Sequence, residues 1–401
     1  MGGLGGHIKA LFEDTSLSFG SLVEIMQTAA NGKAWDVYEK TDGQNLFVTW
    51  DQKTDTLRYA RNKGNLSTGG MTLKELSEKF SGKELVHDAF VNGANALEKG
   101  MFELPHSTKK KIFSEKVWYS IEIIAKDNPN VIHYDVNTIA FHKFGPKRFI
   151  DDGFKSLRDD DAYAHLDIVQ QSLVKLHHGA SKVGWNIVGP LKIVLPPVSD
   201  SSALDRFLKG VENLENIRYE DTIRTYLFNQ MMQEKLKRGP LTRRLQLDLA
   251  SRLLEDEGCK TKTNLLKNAN TQEQKAFIQK MFEEWDMTLH NLLAPIELLI
   301  YNFSIERMSG LQSALIIDGQ KEIARVKYEV EATIEKIKKS DDSAGKLFVN
   351  SQIKRLGNIN NIKTTIEGLT FKHKNVVYKM TGAFGPVNQI LGFYRFKRIV
   401  K

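Results

Sequence analysis

One lysine in this chain has an acid and a glycine fixed close behind it, in the string YEKTDGQN at residues 38–45. The turn-forming residues Asp42 and Gly43 place Lys40 at the junction of a strand and a turn. A lysine amine is a nucleophile only when neutral, and its reference pKa leaves about one amine in a thousand neutral at pH 7. Chemistry at Lys40 therefore requires nearby cations or burial to lower that pKa. The same spacing also fits a hairpin turn that carries a solvated lysine.

The string EKTDGQN resembles the first signature of the covalent nucleotidyltransferases, the superfamily of ATP-dependent DNA and RNA ligases and mRNA capping enzymes. The Glu39-Lys40 pair and Asn45 resemble the RNA-ligase version most, since DNA ligases usually carry arginine where Asn45 stands. The resemblance implies that Lys40 attacks the α-phosphate of ATP and becomes a lysyl-AMP. It also implies that the nucleotide is bound by Glu39, Asp42, Gly43 and Asn45.

Three later segments resemble further signatures of the same superfamily, in the same order. Arg61, in RYARNKGN, is similar to the arginine that follows the nucleophile and is implied to be catalytic. Glu122, in WYSIEII, resembles the strand glutamate that holds the ribose, although Ile121 stands where the family usually has glycine. Phe141, in TIAFHKF, resembles the aromatic residue that stacks on the base. Alternatively, Glu122 is paired with a lysine on a sheet face, and Phe141 is an ordinary core residue.

Residues 367–382, EGLTFKHKNVVYKMTG, resemble the last two signatures of the superfamily. Glu367 matches the glutamate that serves a divalent metal, and Lys379 matches the lysine that contacts the α-phosphate. Their spacing suits a β-hairpin that brings both to one pocket. Lys372 also fits the nucleotide-binding pattern, whereas Thr381 stands where the family has a second lysine. The implied cofactors are ATP and Mg²⁺, or Mn²⁺ in its place.

The positive charge of the chain is concentrated near its end. The 57 Lys and Arg residues exceed the 49 Asp and Glu residues, which gives a net charge of +8. Residues 360–401 hold eight Lys and Arg against the single acid Glu367, so +7 of that excess lies there. Such a segment is either a solvated basic tail or a surface for phosphates and nucleic acid.

Strand-like and helical patterns alternate in blocks along the chain. Residues from about 30 to 145 predict strands at 45–50, 56–61 and 118–124, with helices at 73–80 and 87–99. Residues from about 155 to 345 have helical spacing, and strands return at 365–371, 376–381 and 389–396, with a hairpin turn at Lys374-Asn375. We therefore predict an α+β protein in three parts: 1–150 and 360–401 form the catalytic domain, and 151–359 is an all-α insertion. The resemblance implies a ligase-type nucleotidyltransferase fold, with ATP-grasp-like antiparallel sheets and flanking helices.

Several classes of protein are excluded by composition. Apolar residues make up 41% of the 401 residues, and no apolar run reaches the ~18 residues of a spanning helix. The N-terminus lacks the pattern of a secretory signal. Cys259 is the single cysteine, which excludes internal disulfides and multi-cysteine metal sites and favours a reducing, cytoplasmic location, the host cytoplasm if the protein is viral.

The sequence favours an ATP-dependent RNA ligase of the phage-like, RNA-repair kind, which seals 5′-phosphate to 3′-hydroxyl ends. Only 22 residues follow Lys379, too few for the OB-fold that DNA ligases and capping enzymes append. The alternatives are a DNA ligase with the same chemistry, transfer of AMP to a protein, and a ligase-like binding or structural protein without activity. The natural substrate, the role of residues 151–359 and the oligomeric state stay open at this point.

Overall fold

The structure is a computed structural model that describes residues 8–32, 36–114, 117–150, 153–157, 159–197, 201–215, 217–255, 262–309, 311, 319–363 and 366–395. Cys259 lies outside these residues, as do the first residue of the strand predicted at 365–371 and the last residue of the strand predicted at 389–396. Contacts divide the described chain into two compact units. The first takes in Ile8, Ala34–Leu195 and Met308–Lys401, and the second takes in Lys9–Lys33 and Pro196–Arg307.

The described strands and helices occur in blocks along the chain. The strands are Lys9–Ala10 (β1), Val37–Lys40 (β2), Gln44–Asp51 (β3), Thr56–Ala60 (β4), Val117–Ile124 (β5), Thr138–Ile150 (β6), Gly153–Ser156 (β7), Asn186–Val188 (β8), Lys192–Ile193 (β9), Gly368–His373 (β10) and Val376–Met380 (β11). The α-helices are Phe19–Asn31 (α1), Lys63–Ser67 (α2), Leu73–Phe80 (α3), Glu84–Phe102 (α4), His106–Ile112 (α5), Asp159–Ser181 (α6), Ser202–Glu212 (α7), Ile223–Gln230 (α8), Arg243–Leu253 (α9), Lys262–Asn268 (α10), Gln272–Glu283 (α11), Trp285–Met308 (α12), Gly319–Lys339 (α13), Ser343–Leu356 (α14) and Phe384–Arg395 (α15). None of the described helices is both long enough and apolar enough to cross a bilayer.

The first unit contains two largely antiparallel sheets, and the chain is α+β as predicted. One sheet runs in the order β11-β10-β2-β9, and the other in the order β4-β3-β5-β6-β7, with β8 parallel to β6. One face of the second sheet packs against α3, α4 and α6, and the buried residues there include Leu46, Val48, Phe90, Leu97 and Ile121. Each such side chain contributes about 1.5–3 kcal/mol on burial, so this core fixes the sheet that carries half of the candidate site.

The hairpin between β10 and β11 is the element that the sequence predicted most closely. Lys374 and Asn375 both have positive φ, 45° and 68°, as a two-residue turn between antiparallel strands requires. The strands themselves pair from Leu369 with Met380 to His373 with Val376. The turn therefore fixes the register that sets Glu367 and Lys379 relative to each other.

The strand predicted at 389–396 is wrong, because the described part of this segment lies in the helix α15. Val387, Ile390 and Leu391 are buried, at the three- and four-residue spacing of a helix face. The aromatic and β-branched residues here are typical of strands, but the segment forms a helix because that conformation buries Val387, Ile390 and Leu391 together.

The all-α insertion predicted at 151–359 also needs correction, since three strands lie within it. β7 pairs with β6, β8 also pairs with β6, and β9 pairs with β2. α6 packs closely on α4, where a Cβ on Gly100 would lie 2.6 Å from the Leu176 carbonyl oxygen. Strands of two to four residues have too little periodicity to be found in a sequence. The boundaries predicted at 150 and 359 thus do not coincide with the two units.

The second unit is helical and includes an N-terminal segment that the sequence assigned to the catalytic domain. α1 joins it through a bridge between Ser18 and Thr222 and an edge-on contact of the Phe19 and Tyr226 rings, 6.2 Å apart. Arg307 is buried and donates from Nε to the Ala29 carbonyl oxygen at 2.6 Å. These contacts explain why Lys9–Lys33 groups with Pro196–Arg307.

Candidate active site

Lys40 lies at the end of β2, and its closest charged neighbour comes from the far end of the chain. In the antiparallel pairing of β2 with β10, Lys40 is opposite Gly368. Glu367 therefore lies next to Lys40, and its Oε1 contacts the Lys40 Nζ although 327 residues separate the two. A Cβ on Gly368 would lie 2.6 Å from the Met380 carbonyl oxygen, so glycine permits the close strand approach. Two segments that the sequence assigned to one domain, one near each end of the chain, thus meet at this point.

The turn after Lys40 holds an acid inside the protein. The Asp42 Oδ2 accepts hydrogen bonds from the backbone N–H groups of Val131 and Ile132, each at 2.7 Å. The Asp42 N–H donates to the Tyr134 hydroxyl at 3.1 Å. A carboxylate with two backbone donors is held in one orientation, so the Asp42 charge is fixed close to Lys40.

Gly43 is required because the turn lies directly against β5. A Cβ at this position would lie 2.7 Å from the Glu122 Cγ and 2.7 Å from the Ile123 carbonyl oxygen. Only a residue without a side chain lets the turn approach the strand that carries Glu122. The Asp-Gly order of the string therefore has a structural cause.

We predict that Gly43→Ala lowers the free energy of unfolding by about 1–3 kcal/mol, because β5 or the turn must shift. Denaturant unfolding followed by circular dichroism measures the change. Gly64→Ala is the matched control, since its Cβ would meet only the Asn62 Oδ1, at 3.4 Å. Equal stability of the Gly43 and Gly64 variants would contradict the close approach.

Glu122 faces Lys40 from the second sheet. Its strand neighbours are Asn45 on β3 and Ala140 on β6. The Glu122 Oε2 lies 3.0 Å from the His142 Nε2, and the carboxylate contributes to the electrostatic environment of Lys40. His142 was not predicted as a site residue. The alternation of apolar Ile139 and Phe141 with Ala140 and His142 could have indicated it.

Phe141 lies on the other face of β6, so the base-stacking role predicted for it does not fit. Its side chain is 1% exposed and belongs to the core under the sheet. It pairs with Ile121 and contacts the Tyr119 ring edge-on at 5.7 Å. Because successive strand residues face opposite sides, Phe141 and Glu122 cannot both line the site.

Glu39 is next to Lys40 in sequence but its side chain lies on the opposite face of β2. The residue is buried, and its N–H donates to the Leu191 carbonyl oxygen at 2.8 Å. Asn45 is engaged with β5, where its Nδ2 donates to the Ser120 Oγ at 2.6 Å. Glu39 therefore has a packing role rather than an open place beside Lys40. Asn45, which is opposite Glu122, lies on the Glu122 face of its sheet and is held there by β5.

Three basic residues border the site. Arg61 donates from its guanidinium to the Asn45 carbonyl oxygen and stacks over the Phe90 ring at 4.8 Å. Burial lowers the pKa of Arg61, which the Glu122 charge opposes. Thr370 pairs with both Tyr38 and Lys379, so strand alternation puts Lys379 and Lys372 on the Lys40 face of their sheet. Strand spacing places the Cα atoms of Lys40 and Lys379 about 12 Å apart.

The carboxylates outnumber the cations immediately around Lys40. Burial by itself would lower the pKa of Lys40, but the charges of Glu367, Glu122 and Asp42 raise it above its ordinary value. Burial raises the pKa of Glu367 to about 8, with Lys40 opposing the shift and Asp42 adding to it. Burial also raises the pKa of Asp42, against its two backbone donors. In this arrangement Lys40 holds its proton.

The same surroundings fit an added divalent cation. The Glu367 Oε2 is buried and has no hydrogen-bond partner. Mg²⁺ needs only one or two carboxylates, since phosphates and water complete its shell. Among the described residues no group of three or more His, Cys, Asp or Glu forms a complete cage. Glu367 is thus the residue that would hold Mg²⁺, together with the phosphates of a bound nucleotide.

We predict that Lys40 in the ligand-free protein resists amine-directed labelling below its ordinary pKa of 10.5, because nearby carboxylates favour the charged form. In Glu367→Gln the largest of those charges is gone and burial remains, so the pKa falls and labelling extends to lower pH. Competitive acetylation across pH 6–11, read by mass spectrometry, measures both profiles. The exposed Lys74 is the internal reference. Identical Lys40 profiles in the two proteins would contradict the electrostatic argument.

The structure brings Lys40, Asp42, Gly43, Glu122 and Glu367 together, with Arg61 at the border and Lys372 and Lys379 on the same sheet face. Glu39 and Phe141 point away from this group. Comparisons of the chain with protein-family models, with curated proteins and with solved structures find no match.

Proposed function

We propose that this chain is an ATP-dependent polynucleotide ligase with a ligase-type nucleotidyltransferase domain, and that it acts on RNA ends. The observation that carries the proposal is the contact of Lys40 with Glu367. It joins a Lys-x-Asp-Gly turn to a metal-type glutamate from the other end of the chain, in the order that the motif resemblance implies. Glu122 and Asp42, which complete the group, also match that resemblance.

The first step would be attack of the neutral Lys40 Nζ on the α-phosphorus of ATP. The N–P bond forms, the bond from that phosphorus to the bridging oxygen breaks, pyrophosphate leaves, and the attacking nitrogen loses one further proton to water. Mg²⁺ held by Glu367 would supply the positive charge that compensates the carboxylates and the phosphates. Before the attack Lys40 would give its ammonium proton to water, because the field that raised its pKa would be neutralised.

The other residues of the site would bind the nucleotide. Lys379 and Lys372 would bind its phosphates from the Lys40 side of the sheet, and Arg61 would add positive charge from the border. Glu122, oriented by His142, would accept a hydrogen bond from a ribose hydroxyl. The AMP would then pass to a 5′-phosphate end, and a 3′-hydroxyl would displace it as the ends are joined.

The first test is covalent labelling. The protein is freed of any bound adenylate with pyrophosphate, incubated with Mg²⁺ and ATP labelled at the α-phosphate, denatured and examined for label. We expect a label that is acid-labile, as a phosphoramidate is, and that maps to Lys40. Absence of label would reject the ligase proposal and favour a binding or structural role.

The acceptor is tested separately, with the labelled protein as the AMP donor. Nicked RNA duplex, single-stranded RNA and nicked DNA, each with a 5′-phosphate, are compared at equal concentration. We expect the label to move to RNA ends and joined RNA to appear. Joining of DNA alone would favour a DNA ligase, and label moving only to added protein would favour a protein-modifying enzyme.

A further inference from the structure

We propose that Glu322 and Arg325, on α13, are positioning residues for Lys40, because they hold the segment 130–134 that in turn holds the turn after Lys40. The proposal depends on the proposed function only for its effect on rate. It concerns a helix that the sequence placed in the insertion and gave no role.

The first link joins the turn to the segment. Besides the two N–H groups of Val131 and Ile132 on the Asp42 carboxylate, the Asn130 side-chain amide donates to the Gly43 carbonyl oxygen. Both residues of the Asp-Gly turn are therefore held by consecutive residues of one segment. Displacement of that segment would remove the donors that fix the Asp42 charge.

The second link joins the segment to α13. The Glu322 Oε1 accepts from the His133 N–H at 2.9 Å. The Arg325 Nη2 donates to the Val131 carbonyl oxygen at 2.6 Å. The segment thus faces the turn with its Val131 and Ile132 N–H groups and faces α13 with a carbonyl and an N–H. Backbone polar groups on both sides are paired, which leaves the segment little freedom.

The helix side of the contact is itself rigid. Arg325 bonds Glu322 through Nε, at 2.8 Å, and also bonds Glu329, one turn further on. Glu322 is only 5% exposed. These spacings, three and four residues along one helix, put the three side chains on one face. Removing one partner of a buried, hydrogen-bonded ion pair leaves an uncompensated charge, so the segment would move when Arg325 is lost.

The consequence at Lys40 follows from the state of Asp42. Burial favours its neutral form, and the two backbone donors and the charge of Lys40 oppose this. Without the donors Asp42 would take up a proton or turn away, and the turn that carries Lys40 would lose its anchor. A displacement of about 1 Å at a reacting group costs on the order of 10²-fold in rate.

The direct test is hydrogen exchange by mass spectrometry on peptides that cover 130–134, in the full-length protein without nucleotide. In Arg325→Met we expect these amides to exchange at least about tenfold faster than in the wild type. Glu335→Gln is the matched control, because it breaks an exposed ion pair with Lys338 on the same helix. Unchanged exchange in Arg325→Met would overturn the proposal whether or not the protein is a ligase.

The effect on chemistry is measured as the single-turnover rate of lysyl-AMP formation. We expect Arg325→Met to lower that rate about tenfold or more at saturating ATP, with a KM for ATP within about twofold. In an Asp42→Ala background the same substitution should lower the rate less than about twofold, because the link it acts through is gone. Additive losses would overturn a role through Asp42.

Arg325→Lys is the second variant, used where Arg325→Met is too unstable. One ammonium cannot reproduce the planar fork that bonds Glu322, Glu329 and the Val131 carbonyl together. It keeps the charge beside Glu322, so the fold is retained and both effects should appear in smaller size. Wild-type exchange and wild-type rate in Arg325→Lys would overturn the proposal. A wild-type protein that forms no lysyl-AMP would instead reject the proposed function and leave the exchange result to stand.

Discussion

Lys40→Arg is expected to keep the fold of the protein and to form no lysyl-AMP, with labelling below about one ten-thousandth of the wild-type rate. Arginine keeps a positive charge against Glu367, so the buried carboxylate retains a partner. Its guanidinium stays protonated at any pH at which the protein is folded, and it cannot attack phosphorus. The substitution thus removes the nucleophile and leaves the local charge balance in place.

Thermal unfolding tests whether the fold is retained, and incubation of the same preparation with α-labelled ATP tests whether lysyl-AMP forms. Lys74→Arg is the matched control, since Lys74 is 87% exposed and only loosely paired with Glu78, at 3.9 Å. Lys40→Met gives a second variant without the cation. There the pKa of Glu367 should rise further, because the Lys40 charge that opposes the shift is gone, so the carboxyl becomes neutral at pH 7 and the fold survives. Full labelling of Lys40→Arg would mean that the nucleophile is another residue.

Local signals in the sequence were sufficient for the turn and the hairpin. The residue types of Asp42 and Gly43 predict a turn, and those of Lys374 and Asn375 predict the turn of the β10–β11 hairpin. The Lys40–Glu367 contact is different. No local pattern relates residues 327 positions apart, so it could be predicted only through the order of the motifs.

The parts that could not be predicted depend on tertiary contacts. Phe141 lies in the core and His142 lies beside Glu122, because packing against α4 and α6 decides which face of β6 is buried. The pattern of a single strand does not reveal that choice. α15 is a helix because its Val387, Ile390 and Leu391 face is buried, against residue types that favour strands. The side chains of α13 hydrogen-bond to backbone groups of residues 131 and 133. Every residue has such backbone groups, so this contact leaves no signal in the sequence.

Glu367→Gln is the variant with the second-largest expected effect, a loss of about 10²–10³-fold in lysyl-AMP formation with ATP and Mg²⁺. A neutral amide binds a hard cation far less well than a carboxylate, and the Glu367 Oε2 is buried without a hydrogen-bond partner. The same change removes the charge that holds the Lys40 proton. Lys40 should therefore become more reactive toward a small acetylating reagent and less reactive toward ATP.

These opposite changes separate the two roles of Glu367. If it only balanced the charge of Lys40, the variant would form lysyl-AMP faster, because its amine is more often neutral at pH 7. If it also holds Mg²⁺, the ATP reaction slows, and raising Mg²⁺ or replacing it by Mn²⁺ recovers part of the rate. The rate is measured across a metal titration in Glu367→Gln and in Glu78→Gln, which changes an exposed carboxylate on α3. A Glu367→Gln rate equal to the wild-type rate at every metal concentration would remove Glu367 from the metal site and leave it a partner of Lys40 alone.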